Sequence, residues 1–177
     1  MLHKRIAGTV ADIITLMQHP FEESPEAVRT TLRDFIRTDF IRISYAVSNI
    51  DHLGNHSELI LLSDIIAFID LYEGDGLDMP LLMDQHGADD QKAEIFHKRS
   101  ESIFKELLHD HPLIPLTPAI PDSILFAMKY DDENQTDTTS RLKKKFLSII
   151  SDITMHGGQV EDQENDILSQ YQALFAS

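Results

Sequence analysis

The sequence predicts an all-α fold, a single compact bundle of about seven helices spanning residues 1–177. Three observations predict it. Apolar residues return at three- and four-residue steps through most of the chain. No segment alternates apolar with polar residues between hairpin turn signals, so strands are not expected. No linker is long or biased enough to divide the chain.

The elements follow in order. "IAGTVADIITLMQ" places Ile6, Val10, Ile13, Ile14 and Met17 on one stripe, and Pro20 is expected to stop that helix. "SPEAVRTTLRDFIRTDFIRISYAVSNI" then reads as a second helix, with Ser24 as N-cap, Pro25 at the first helical position and Glu26 in the first turn. Its apolar face is Val28, Leu32, Phe35, Ile36, Phe40, Ile43 and Val47. After a break at "DHLGN", "SELILLSDIIAFIDLYE" is apolar almost all round, as the central helix of a bundle is. "GDGLDMPLLMDQHGADD" has the glycines, proline and aspartates of an acidic loop or short helical turns. "AEIFHKRSESIFKELLHDH" returns to helical spacing through Ile95, Ile103, Phe104, Leu107 and Leu108. "PLIPLTPAIP" is an extended connection, since proline cannot continue a helix and disfavours one before it. Asp122 is placed to cap or enter the next helix, "DSILFAMKYDDE". "RLKKKFLSIISDITMH" and "EDQENDILSQYQALFA" complete the set.

Composition narrows the function. At 42% apolar residues the chain is too hydrophobic for a disordered protein, yet its apolar runs fall far short of a bilayer span. The start, "MLHKRIAGTV", lacks the apolar stretch of a signal peptide, and Asp12 interrupts it, so a cytoplasmic protein with no transmembrane segment is expected. The absence of cysteine removes disulfides, thiolate catalysis and cysteine-ligated zinc. A formal charge of −15 opposes phosphate backbones, so no nucleic acid is expected as partner. Such a chain attracts cations and basic proteins.

Four constellations are candidates for chemistry. Asp51 and Glu58 flank Gly54, and Glu161, Asp162 and Glu164 follow Gly157 and Gly158. Carboxylates crowded at a tight turn supply oxygen ligands for a hard divalent cation, calcium or magnesium. The same acids in a first helical turn also complement the helix dipole, with Glu161 and Glu164 at capping-box spacing. A second cluster, Asp70, Glu73, Asp75, Asp78, Asp84, Asp89 and Asp90, reads either as a solvated surface loop or as a seat for a cation or a basic partner. The pair His52/His56 and the run "HDH" at 109–111 have the residue types of a transition-metal site, but no HExxH motif accompanies them. Finally, Arg29, Arg33 and Arg37 repeat every four residues, a stripe suited to an acidic partner or to the protein's own carboxylates. "RLKKK" at 141–145 is similar; cations so early in a helix oppose its dipole, which points to acids elsewhere. GxSxG, Walker, Rossmann and cysteine-nucleophile signatures are all missing, so no enzyme is expected.

A weak internal echo joins "SYAVSNIDHLGNHSELILL" to "SIISDITMHGGQVEDQENDIL": apolar helix, glycine-containing turn, acid opening the next helix. The second of these, extended back through "PDSILFAMKYDDENQTDTTSRLKKKF", resembles the TerB-like domains of the tellurite-resistance group. Gly158, Val160, Glu164 and Leu168 stand at matching places, and the first copy resembles the family's first turn. The resemblance covers residues 40–70 and 120–175. Gly157 stands where the family usually carries Asp, and Asp51 and Gly54 are two residues further apart than usual. The resemblance implies an all-α module, with two pseudo-repeated helix–turn–helix units, acting without catalysis in a stress-response or membrane-associated complex. It implies protein partners, self included, and a link to a divalent cation at the acidic turns. The competing expectations are a metal-dependent hydrolase built around His109 and His111, and a purely structural subunit.

Overall fold

The computed structural model describes residues 4–24, 27, 29–48, 56–74, 90–109, 117–155 and 162–176. Among them run seven helices and no strand: α1 (Lys4–Glu22), α2 (Leu32–Ser48), α3 (His56–Leu71), α4 (Asp90–His109), α5 (Asp122–Asn134), α6 (Thr138–Thr154) and α7 (Asp162–Ala176). The all-α bundle expected from the periodicity is therefore present.

α1 buries its predicted stripe, Ile6, Val10, Ile13, Ile14 and Met17, against α6. Pro20 does not stop it; the helix runs on to Glu22 with Pro20 inside. A proline near a helix end loses one backbone bond but keeps helical φ. Here the extra turn buries Phe21 against the rings of Phe35 and Phe126, with centroids 5.5 and 6.1 Å away. Ser24 is no N-cap either. Its hydroxyl donates back to the Phe21 carbonyl at 2.8 Å and closes the end of α1.

The second helix consequently begins later than the sequence suggests. Thr31 caps α2: its Oγ1 accepts from the Asp34 N–H at 3.1 Å and donates to the Asp34 carboxylate at 2.7 Å. Arg29 thus stands before α2 rather than on it. From there Ile36, Phe40, Ile43 and Val47 enter the core as predicted, with Leu32 and Phe35 packed at its edge; Val28 lies outside the described residues.

α3 is buried from Leu61 to Ile69 without interruption, the outcome expected of a helix apolar on every face. It lies against α1, α2 and, most extensively, α4. On α4 the inward stripe is Phe96, Ser100, Ile103 and Leu107, with Phe104 and Leu108 packed at its edge; of the predicted face only Ile95, 49% exposed, points away. Ser100 is the stripe's one polar member. α6 is the second hub, touching α1, α2, α5 and α7. Tyr171 and Phe175 of α7 complete the core, their rings edge to face at 5.8 Å.

Candidate functional site

Of the acidic-turn residues, Asp51 and Glu161 lie outside the described residues, as do the side chains of Asp162 and Glu164 near the start of α7. Glu58 is described: it occupies the first turn of α3 and is 5% exposed. Among the described residues no three His, Asp or Glu side chains gather as a metal site would require. His109 ends α4 exposed, while Asp110 and His111 lie outside the described residues. Of the acidic cluster, Asp70 and Glu73 are described, and Asp90 in backbone only; Asp75, Asp78, Asp84 and Asp89 are not.

The arginine repeat is placed, and two of its members turn inward along the chain. Arg33 donates to the carbonyls of Asp70 at 3.0 Å and Tyr72 at 2.6 Å, at the C-terminal end of α3. Those carbonyls lack helical partners, and a cation there also meets the negative end of the helix dipole. Arg37 stands 3.8 Å from the Asp70 carboxylate and 3.6 Å from Glu106. Arg99 of α4 grips the same Asp70 oxygen through Nε at 2.8 Å and Nη2 at 2.6 Å. Asp70 therefore ties α2, α3 and α4 together. Arg29 is exposed and outside this cluster.

Three polar nodes, two of them buried, escaped the sequence reading. The first is Asp39, wholly buried on α2. Its Oδ1 accepts from the Asp122 N–H at 2.7 Å; its Oδ2 accepts from the Ser123 N–H at 2.9 Å and from the Ser123 hydroxyl. A carboxylate borrowed from α2 thus caps α5, whose own flanking residue, Pro121, gives no side-chain cap. Burial pushes the Asp39 carboxyl up to about 6, against the pull of those hydrogen bonds. Beside it Tyr171, held to the Ala119 backbone, is pushed up to about 12, again chiefly by burial. At the rim Arg42 binds Asp122 at 2.6 Å. The signal in the sequence was a lone Asp inside an apolar stripe, four residues after Phe35.

The second node is Asp131, near the C-terminal end of α5. It accepts from the Thr136 hydroxyl, from the Thr138 N–H at 3.1 Å and from the Thr139 N–H at 2.7 Å, and so caps α6. Partial burial pushes its carboxyl up, but the hydrogen bonds outweigh that and hold it below the ordinary range. In the third, Ser100 donates to the buried Asp64 at 2.6 Å and meets Ser63 at 3.2 Å, pinning α4 to α3.

Where the α5–α6 turn, α6 and α7 meet, an open groove of about 660 Å³ has Leu147 and Phe175 in its floor and Lys143 and Lys144 along its side. Among the described residues neither lysine has an ion-pair partner, nor does the exposed Arg141 beside them. Lys145, the neighbouring cation, is bound to Asp12 of α1.

Comparison with protein-family models, with curated proteins and with solved structures finds no match for this chain.

Proposed function

We propose that this protein is a non-enzymatic interaction module of TerB-like type, working in a stress-response or membrane-associated complex with protein partners. The observation that carries the reading is the use of charge. Asp39, Asp64, Asp70 and Asp131 are spent on capping helices or joining them. Lys143 and Lys144, by contrast, have no ion pair among the described residues and stand beside Leu147 and Phe175 in an open groove, in a chain of formal charge −15. Unpaired cations beside apolar side chains suit the docking of a partner. The resemblance in residues 40–70 and 120–175 adds the TerB-like assignment and the cation link. No helix among the described residues is long and apolar enough to cross a membrane.

Selection of a random displayed peptide library against the full chain tests the reading. Enrichment of peptides that bind saturably supports an interaction module; a library that yields none favours a structural subunit. The cation link has its own test, titration of the metal-stripped protein with calcium, magnesium, manganese and zinc. Heat release and a raised melting temperature, both weakened in Glu164→Gln, support it. A silent titration at millimolar cation leaves the acids of that turn as helix caps.

A further inference from the structure

The α6–α7 groove has a chemistry that selects its occupant. α6 opens with no acid in its first turn and with Asp137 at its N-cap position making no side-chain cap bond, because Asp131 does that work from α5. Into its first two turns the chain instead puts Arg141, Lys143, Lys144 and Lys145. Cations this close to the positive end of a helix dipole gain nothing from it. Lys145 is accounted for by Asp12. Ser140, Lys143, Lys144 and Leu147 lie three, four and seven residues along one face, and that face lines the groove opposite Gln172 and Phe175 of α7. The groove's own carboxylates are Asp131, taken up in capping, and Asp137, six residues before Lys143.

We propose that this groove docks an acidic amphipathic protein segment. A large apolar side chain of the segment rests on Leu147 and Phe175, and carboxylates one helical turn away meet Lys143 and Lys144. Local charge complementarity argues for it: Lys143 and Lys144 have no ion pair among the described residues, and the apolar Leu147 and Phe175 beside them suit a peptide better than a polyphosphate. A nucleic acid needs a longer run of cations than two lysines. The inference rests on the interaction-module reading and names its partner class.

The test takes peptides selected against the full chain, labels the tightest with fluorescein and follows anisotropy. The expected peptides carry two or more carboxylates within a turn of a large apolar residue. Their binding falls about tenfold in the double variant Lys143→Glu/Lys144→Glu, is kept in Lys143→Arg/Lys144→Arg, and weakens as salt rises. Should the charge-reversed protein fail to fold, Lys143→Gln/Lys144→Gln replaces it, with the same loss expected. Peptides that bind equally well to either variant overturn the groove assignment and leave the interaction module standing. No selected peptide at all overturns both. An oligothymidylate that competes as well as the peptide makes the surface a general polyanion site and overturns the acidic-segment assignment. A concentration-dependent dimer in sedimentation, abolished by the same substitutions, gives the groove to a second copy of the chain and overturns it too.

Discussion

Asp39→Asn separates the two forces that act on the buried carboxylate. The substitution keeps the shape and one oxygen acceptor, but turns an amide N–H₂ toward the Ser123 N–H, which then loses its acceptor. An unsatisfied buried donor costs about 1–3 kcal/mol, and a lost cap about 1 kcal/mol, so at neutral pH the variant is expected to lose about 2 kcal/mol. The pH dependence is more telling. With its carboxyl raised from 3.8 to about 6, the folded protein holds the Asp39 proton more tightly than the unfolded chain does. The stability this group contributes is therefore fully present below pH 3.8 and is lost as pH rises through about 6. The shift amounts to about 3 kcal/mol across that window. Asn does not titrate. Hence the deficit of Asp39→Asn relative to the parent grows as pH falls from 7 to 4.5. Urea titrations followed by helical circular dichroism at the two pH values measure it, with an unchanged slope confirming that the same surface unfolds. A deficit that shrinks on acidification would refute the reasoning. It would mean that three donors at the α5 N-terminus outweigh burial and keep Asp39 more acidic than a free aspartate.

Three further substitutions test neighbouring claims. Arg33→Glu removes two bonds to the α3 carbonyls and sets a carboxylate at the negative end of that helix; a loss of about 1–2 kcal/mol is expected in thermal melts. Unchanged stability, with a partner lost, would return Arg33 to a docking role. Tyr45→Phe is expected to stabilise by about 1 kcal/mol, because the Tyr45 hydroxyl is buried without a hydrogen-bond partner among the described residues; a lower melting temperature would show that the hydroxyl is satisfied in solution. Gln135→Gly relieves the left-handed backbone at φ 56° that ends α5 and is expected to gain about 0.5–1 kcal/mol. A destabilised variant would show that the Gln135 side chain contributes more than its strain costs.

The fold was legible because its main signal is local. Ile6, Val10, Ile13 and Met17 declare a helix face within four turns, and the all-apolar run of α3 declares burial without knowledge of its neighbours. Boundaries failed where two local signals competed. Ser24-Pro25 has the form of a helix start, yet Thr31 with Asp34 does the capping, and burial of Phe21 carries α1 through its proline. The arginine spacing was legible, but its target was not: the carbonyls that Arg33 reaches belong to residues 37 and 39 positions away.

What periodicity hides is the polar residue inside an apolar stripe. Asp39, Asp64 and Ser100 occupy core places, and each is tolerated because a distant partner satisfies it. Asp39 answers to residues 83 and 84 positions along the chain, a pairing that no window of sequence contains. Burying a carboxylate is costly unless its oxygens are hydrogen-bonded, so the exchange makes sense only if the position it fixes matters. It fixes the first residue of α5. At the other end of α5, Asp131 fixes the first residues of α6. Two capping carboxylates in series thus run from α2 through α5 to the first turn of α6, the turn before Lys143 and Lys144. Loosening the first of them should be felt at the last, so Asp39→Asn, still folded at neutral pH, is expected to weaken peptide binding at a groove it does not touch. Peptide affinity indifferent to Asp39→Asn would show that the packing of α6 on α1, α2, α5 and α7 holds the groove without help from that cap.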